Sequence, residues 1–95
     1  MGGVAPAARD DAQGRFKAGE AVGYAGEDLV AWGEPGDVLA RTLGRVADGA
    51  ELLTCIAGET PPLSRGDVEE LVPGAVELEY HEGGQPAWWW LLCAE

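Results

Sequence analysis

The segment from Tyr80 to Glu95, which reads YHEGGQPAWWWLLCAE, constrains the fold of this chain more than any other stretch. An acidic strand runs into a Gly83-Gly84 turn, and an unbroken apolar strand follows. Alternate residues of a strand face opposite ways, so Trp88, Trp90 and Leu92 are expected on one side and Trp89, Leu91 and Cys93 on the other. Both faces are then apolar. Such a strand either lies inside a sheet covered on both sides, or covers one side with its own domain and offers the other to a partner. Indole is enriched at protein contacts and its N–H needs an acceptor, so Trp88, Trp89 and Trp90 are candidates for a partner interface as well as for the core. Trp32, at the end of another strand-like run, reads as core.

A chain of 95 residues supports one α/β-sized core and no second one. Seventeen acidic residues against six basic ones give a net charge of -11, and Lys17 is the only lysine. Nucleic acid and anionic membrane surfaces repel such a chain, whose acidity serves solubility. No apolar run approaches the roughly 20 residues of a membrane span, so no membrane insertion is expected. No basic leader precedes an apolar stretch, and Pro6 stands where a myristoylation signal needs Ser or Thr. The expected location is cytoplasmic. Cys55 and Cys93 sit in apolar runs and read as buried, reduced thiols. One histidine and two distant cysteines give no zinc spacing, and neither a metal nor a cofactor is expected.

Along the chain, residues 1–14 carry a weak strand around Val4 to Ala8 behind a ragged start. Ala21 to Tyr24 and Leu29 to Trp32 flank a Gly-containing turn and read as a hairpin. Pro35 and Asp37 open a helix with Val38, Leu39, Thr42, Leu43 and Val46 on one stripe, and Gly49 ends it. Gly44 within that helix suggests close packing on the sheet. Leu52 to Ala57 reads as a central strand. Ser64, with Asp67 three residues on, caps a short helix carrying Val68, Leu71 and Val72, which Pro73-Gly74 ends. Val76, Leu78 and Tyr80 then alternate with Glu77, Glu79 and His81. With Gly83, Gly84, Gln85 and Pro86 as the structural turn of a second hairpin, the order is β-β-β-α-β-α-β-β. The expected fold is a single α/β domain over residues 1–95, a two-layer or three-layer sandwich on a mixed β-sheet.

Chemistry-bearing patterns are sparse. Gly19, Gly23 and Gly26 precede a hairpin and lack phosphate-loop spacing, so Lys17 and Arg15 offer an anion charge alone. His81 shares the wet face of its strand with Glu77 and Glu79, where a carboxylate contact gives it a structural purpose. Asp10 and Asp11 form an adjacent carboxylate pair, but neighbours on an extended chain point apart, which favours a turn. No catalytic residue stands out.

Glu77-Leu78-Glu79-Tyr80-His81-Glu82-Gly83-Gly84-Gln85-Pro86, followed by an aromatic strand ending Ala94-Glu95, resembles the C-terminus of the kinase component of fatty acid kinases, of the dihydroxyacetone-kinase-like (DAK) family. Ala8-Arg9-Asp10-Asp11, Gly19-Glu20-Ala21-Val22-Gly23, Leu29-Val30-Ala31-Trp32-Gly33 and Leu53-Thr54-Cys55-Ile56-Ala57-Gly58-Glu59 are similar to earlier pieces of that domain, in the same order. The resemblance spans about Gly3 to Glu95. The stretch from Thr60 to Pro73 is shorter than the family's helix, and tryptophans replace smaller residues or tyrosine-and-proline mixtures. The resemblance implies a DegV-related C-terminal α/β module without ATP site, catalytic residue or cofactor. Its expected role is to hold subunits together and to dock the fatty-acid-binding DegV-like subunit, while a separate kinase domain forms the acyl phosphate. A homodimer through an exposed sheet edge is a further expectation. The alternative is a free-standing enzyme or ligand-binding domain using His81, Glu79 and the Arg9-Asp10 turn.

Overall fold

The computed structural model describes residues 1–95. Six strands and two helices follow the expected order: β1 (Gly2–Pro6), β2 (Ala21–Ala25), β3 (Asp28–Gly33), α1 (Pro35–Val46), β4 (Leu52–Ala57), α2 (Arg65–Leu71), β5 (Glu77–Glu82) and β6 (Trp90–Ala94). They form one mixed sheet in the spatial order β3-β2-β1-β6-β4-β5. Only β4 and β5 run parallel, joined through α2, and every other neighbouring pair is antiparallel. Both helices contribute to a single core on one face, giving a two-layer α/β sandwich.

The helices form where their ends are satisfied locally. Glu34 caps α1 by accepting from the backbone N–H groups of Gly36 and Asp37 at 3.1 and 2.9 Å, with Pro35 at the first helical position. Val38, Leu39, Thr42 and Leu43 are its buried stripe. Gly44 lies off that stripe, exposed, and a side chain there would meet nothing within 4 Å, so it makes no close approach to the sheet. The expected close approach occurs instead at Gly23 of β2, where a Cβ would collide with the Thr42 hydroxyl. Ser64 and Asp67 form a reciprocal capping box on α2, which buries Val68.

Cross-strand register fixes the two faces. On the helix side, Val4, Trp90 and Ala57 lie side by side, as do Leu92, Cys55 and Tyr80 one row away. Trp90, Leu53, Leu92, Val4 and Cys55 are fully buried there with Leu39, Leu43 and Val68.

Four further expectations need correction. The start is not ragged: β1 runs from Gly2, two residues earlier than expected, and is a central strand paired with β2 and β6. Its glycines explain how it fits, because a Cβ on Gly3 would come within 2.7 Å of the Trp88 ring. The second hairpin does not exist. β5 and β6 are separated by β4, and residues 83–89 cross the end of β4 instead. Gly83 and Gly84 both donate to the Ala57 carbonyl, Glu59 donates to the Gln85 carbonyl, and the Gln85 side chain reaches the Ile56 carbonyl at 3.1 Å. The Gly83 to Pro86 segment is thus a crossover between strands that are not neighbours, and not the turn of a hairpin. Gly84 sits at φ 68°, in left-handed backbone that suits glycine.

The other two corrections follow from alternation. Ala31 is buried on the helix side, which sends Trp32 to the opposite face, where it is 38% exposed. Leu92 likewise points inward, so Cys93 points outward and is exposed, while Cys55 is buried as expected.

Candidate functional site

No helix covers the second face of the sheet. Register places Tyr24, Gly3, Leu91, Ile56 and His81 in one row across it, and Trp32, Val22 and Ala5 in another. Thr54 stands between Cys93 and Glu79 in a third. The face therefore grades from aromatic on β2 and β3, through aliphatic in the centre, to charged on β5.

The three C-terminal tryptophans do not act as one surface. Ala87 adopts φ 74°, a left-handed conformation unusual for a residue with a side chain, and strand geometry begins only at Trp90. The alternation expected from Trp88 onward therefore fails at its first members. Trp88 lies on the helix-free face, over Gly3 and edge-on to Tyr24 with ring centroids 5.9 Å apart. Trp90 lies on the opposite face, fully buried, and its indole N–H has the Tyr80 hydroxyl as its polar neighbour but makes no well-formed hydrogen bond. Trp89 is half-buried at the margin of the core, edge-on to Trp90 at 6.3 Å. Of the candidate interface residues, Trp88 and Trp89 keep accessible surface, and Trp32 joins Trp88 on the helix-free face. Trp32 was legible only through its neighbour: a small Ala31 beside a large indole marks which of the two is packed under a helix.

Residues 7–20 form a strap beside β1 and β2. Ala7 and Glu20 are bonded backbone to backbone, Gly19 N–H donates to the Ala7 carbonyl, and Asp11 N–H donates to the Phe16 carbonyl. The adjacent carboxylates are both used inside this strap. Asp10 accepts from the backbone N–H of Ala18 at 2.8 Å. Asp11 accepts from Arg15 Nε at 2.6 Å and from the Arg15 backbone at 3.2 Å. That side-chain bond holds the Asp11 carboxyl below its ordinary range and raises the Arg15 guanidinium. Arg15 also lies over the Trp32 ring, 5.6 Å from its centroid. The strap thus grips the aromatic end of the helix-free face.

His81 and Glu79 stand at the other end of that face, with His81 Nε2 2.9 Å from Glu79 Oε1 and both side chains about half exposed, at 54%. Three strand spacings, about 14 Å, separate β5 from β1 and the Arg9-Asp10 turn that follows it. The hollow that Arg9 and Asp10 line includes neither His81 nor Glu79. The structure does not bring these four residues together. No group of three or more His, Cys, Asp or Glu side chains stands close enough to hold a metal ion. Burial pushes the Cys55 thiol up to about 12, which keeps it protonated and unreactive at neutral pH. No helix is long and apolar enough to cross a membrane.

Comparison with known proteins returns no matching family model, and no curated protein matches the chain.

Proposed function

We propose that this chain is a non-catalytic docking module of a fatty-acid-kinase-type, DAK-family assembly in the cytoplasm, and that the fatty-acid-binding DegV-like subunit seats on the helix-free face of its sheet. The observation that carries this reading is the one-sided coverage of the sheet: Trp32 and Trp88 stand with Leu91 and Ile56 on a face that no helix closes. Acyl phosphate formation then belongs to a separate kinase domain. The resemblance at the Gly83 to Pro86 crossover and the Arg9-Asp10 turn supports the family assignment. The wide separation of His81 and Glu79 from that turn favours docking over the free-standing enzyme.

The test is co-purification of the full reading frame with its fatty-acid-binding subunit. Trp32→Ala removes an exposed ring and leaves the core intact, so the variant folds and binds the partner about tenfold more weakly or worse. Unchanged binding by both Trp32→Ala and Leu91→Glu would refute the assignment of this face. Turnover of an acyl phosphate or phosphoester by the isolated chain, abolished by His81→Ala, would replace docking with the enzyme reading.

A further inference from the structure

Strand β5 is a margin of the sheet, paired with β4 on one side and with no strand on the other. Glu77 N–H donates to the Glu51 carbonyl and Gly83 N–H to the Ala57 carbonyl, so in this parallel register Glu77, Glu79 and His81 commit their backbone groups to β4. The N–H and C=O groups of Leu78, Tyr80 and Glu82 therefore point outward, and no hydrogen bond of the chain reaches them. The opposite margin differs. A bulge at Val30 breaks the register of β3 with β2, and such a kink turns an edge away from further pairing. Along β5, by contrast, Glu77 to Glu82 keep unbroken register with Leu52 to Ala57.

The two sides of this open edge present different chemistry. Glu77 and Glu79 stand exposed on the helix-free side, whereas Leu78 and Tyr80 on the helix side are half-buried against the core with Leu71 and Val76. A strand laid alongside places its alternate side chains over the one row and the other. The charges do not cancel here. Residues 51–95 hold nine acidic side chains and a single Arg or Lys, Arg65, which is already paired with Glu69 at 3.0 Å; a protonated His81 leaves the excess large. A second copy of β5 sets glutamate against glutamate, so this edge resists self-pairing and attracts a basic strand.

From this we infer that β5 accepts an extended segment of a partner protein as a further strand of the sheet, with Lys or Arg at alternate positions over Glu77 and Glu79 and apolar residues between them over Leu78 and Tyr80. Main-chain hydrogen bonds to the open edge hold the segment, and the alternation selects it. The inference is independent of the docking reading, because it uses a margin of the sheet and not its helix-free face.

The experiment titrates the full chain with a short, end-capped synthetic peptide of alternating lysine and valine, followed by amide NMR. Saturable binding is expected, with shifts and new amide protection at Leu78, Tyr80 and Glu82. The same peptide with glutamate in place of lysine binds about tenfold more weakly or worse. N-methylation of alternate peptide residues separates strand pairing from charge attraction: the set whose N–H groups meet β5 loses binding about tenfold, and the other set keeps it. Glu77→Gln with Glu79→Gln, at exposed positions, keeps the circular dichroism spectrum and weakens the lysine peptide about fivefold, while Trp32→Ala leaves it unchanged. Equal affinity for the lysine and glutamate peptides would overturn the proposal, as would indifference to both N-methylated sets or to the two glutamine substitutions. Shifts centred on Trp88 and Leu91, or no binding of the lysine peptide at millimolar concentration, would overturn it equally.

Discussion

Trp90 offers a test in which two substitutions of one residue separate two energies. Its side chain is fully buried among the core residues of the helix side, yet the indole N–H makes no well-formed hydrogen bond, with the Tyr80 hydroxyl as its polar neighbour. Trp90→Ala empties the centre of the core and costs about 3 to 5 kcal/mol. Trp90→Phe keeps an aromatic ring in the same place. Its smaller loss of volume costs about 1 to 2 kcal/mol, whereas deleting a poorly paired buried donor recovers about 1 kcal/mol. The two contributions nearly cancel, so Trp90→Phe is expected within about 1 kcal/mol of the parent. Against Trp90→Ala the gap is at least about 2 kcal/mol, worth about 10 °C in melting temperature for a domain of this size. Urea denaturation followed by far-ultraviolet circular dichroism measures both variants and avoids confusion with the other three tryptophans. If Trp90→Phe were as damaging as Trp90→Ala at unchanged m-value, the poor pairing of this donor would be refuted.

Three further outcomes are expected. Gly84→Val forces a β-branched residue into left-handed backbone and destabilises by about 1 to 2 kcal/mol or more, measured by thermal melting; an unchanged melting temperature would mean the crossover relaxes freely. An aromatic disulfide reagent titrates one thiol per folded chain, because Cys93 is exposed while Cys55 is buried with its thiol pushed up to about 12; Cys93→Ser abolishes the reaction, and rapid labelling of that variant would contradict the burial of Cys55. The Asp11–Arg15 contact orders the strap in a pH-dependent way. Since the folded Asp11 carboxyl lies below its ordinary value of 3.8, its contribution is fully present above that value and is lost as pH falls further through the folded one. Amide protection factors at Arg15, whose N–H donates to the Asp11 carboxylate, and at Asp11, whose N–H donates to the Phe16 carbonyl, are therefore flat from neutrality down to about pH 4 and fall below it; Asp11→Asn removes that acid dependence, and persistence of the dependence in the variant would assign it to another group.

Element type and order were legible because each run carried its own period and punctuation. The stripe Val38, Leu39, Thr42 and Leu43, the Ser64–Asp67 box and the Val76–Leu78–Tyr80 alternation each point to one local structure. Strand neighbours were not legible. Periodicity says which way a side chain points but not which strand lies beside it, and Gly83-Gly84 suits a crossover as well as a hairpin. The apolarity of both faces of β6 did carry the information that it is interior, which is where it lies. Exposure at Trp32 and Cys93 was missed because residue type was weighed above parity relative to Ala31 and Leu92. The hollow was invisible in the sequence, since it arises where the strap of residues 7–20 folds back beside Tyr24 and a tryptophan placed by the backbone turn at Ala87.

The insertion of β6 between β1 and β4 has a consequence for how the molecule comes together. The meander of β1, β2 and β3 and the parallel unit of β4 and β5 share no strand pairing, and β6 is the keystone that zips them into one sheet. During synthesis both half-sheets emerge from the ribosome before the strand that joins them. Until Trp90 to Ala94 arrives, each displays a raw margin of unsatisfied backbone amides, and a chaperone or a neighbouring nascent chain has its opportunity in that interval.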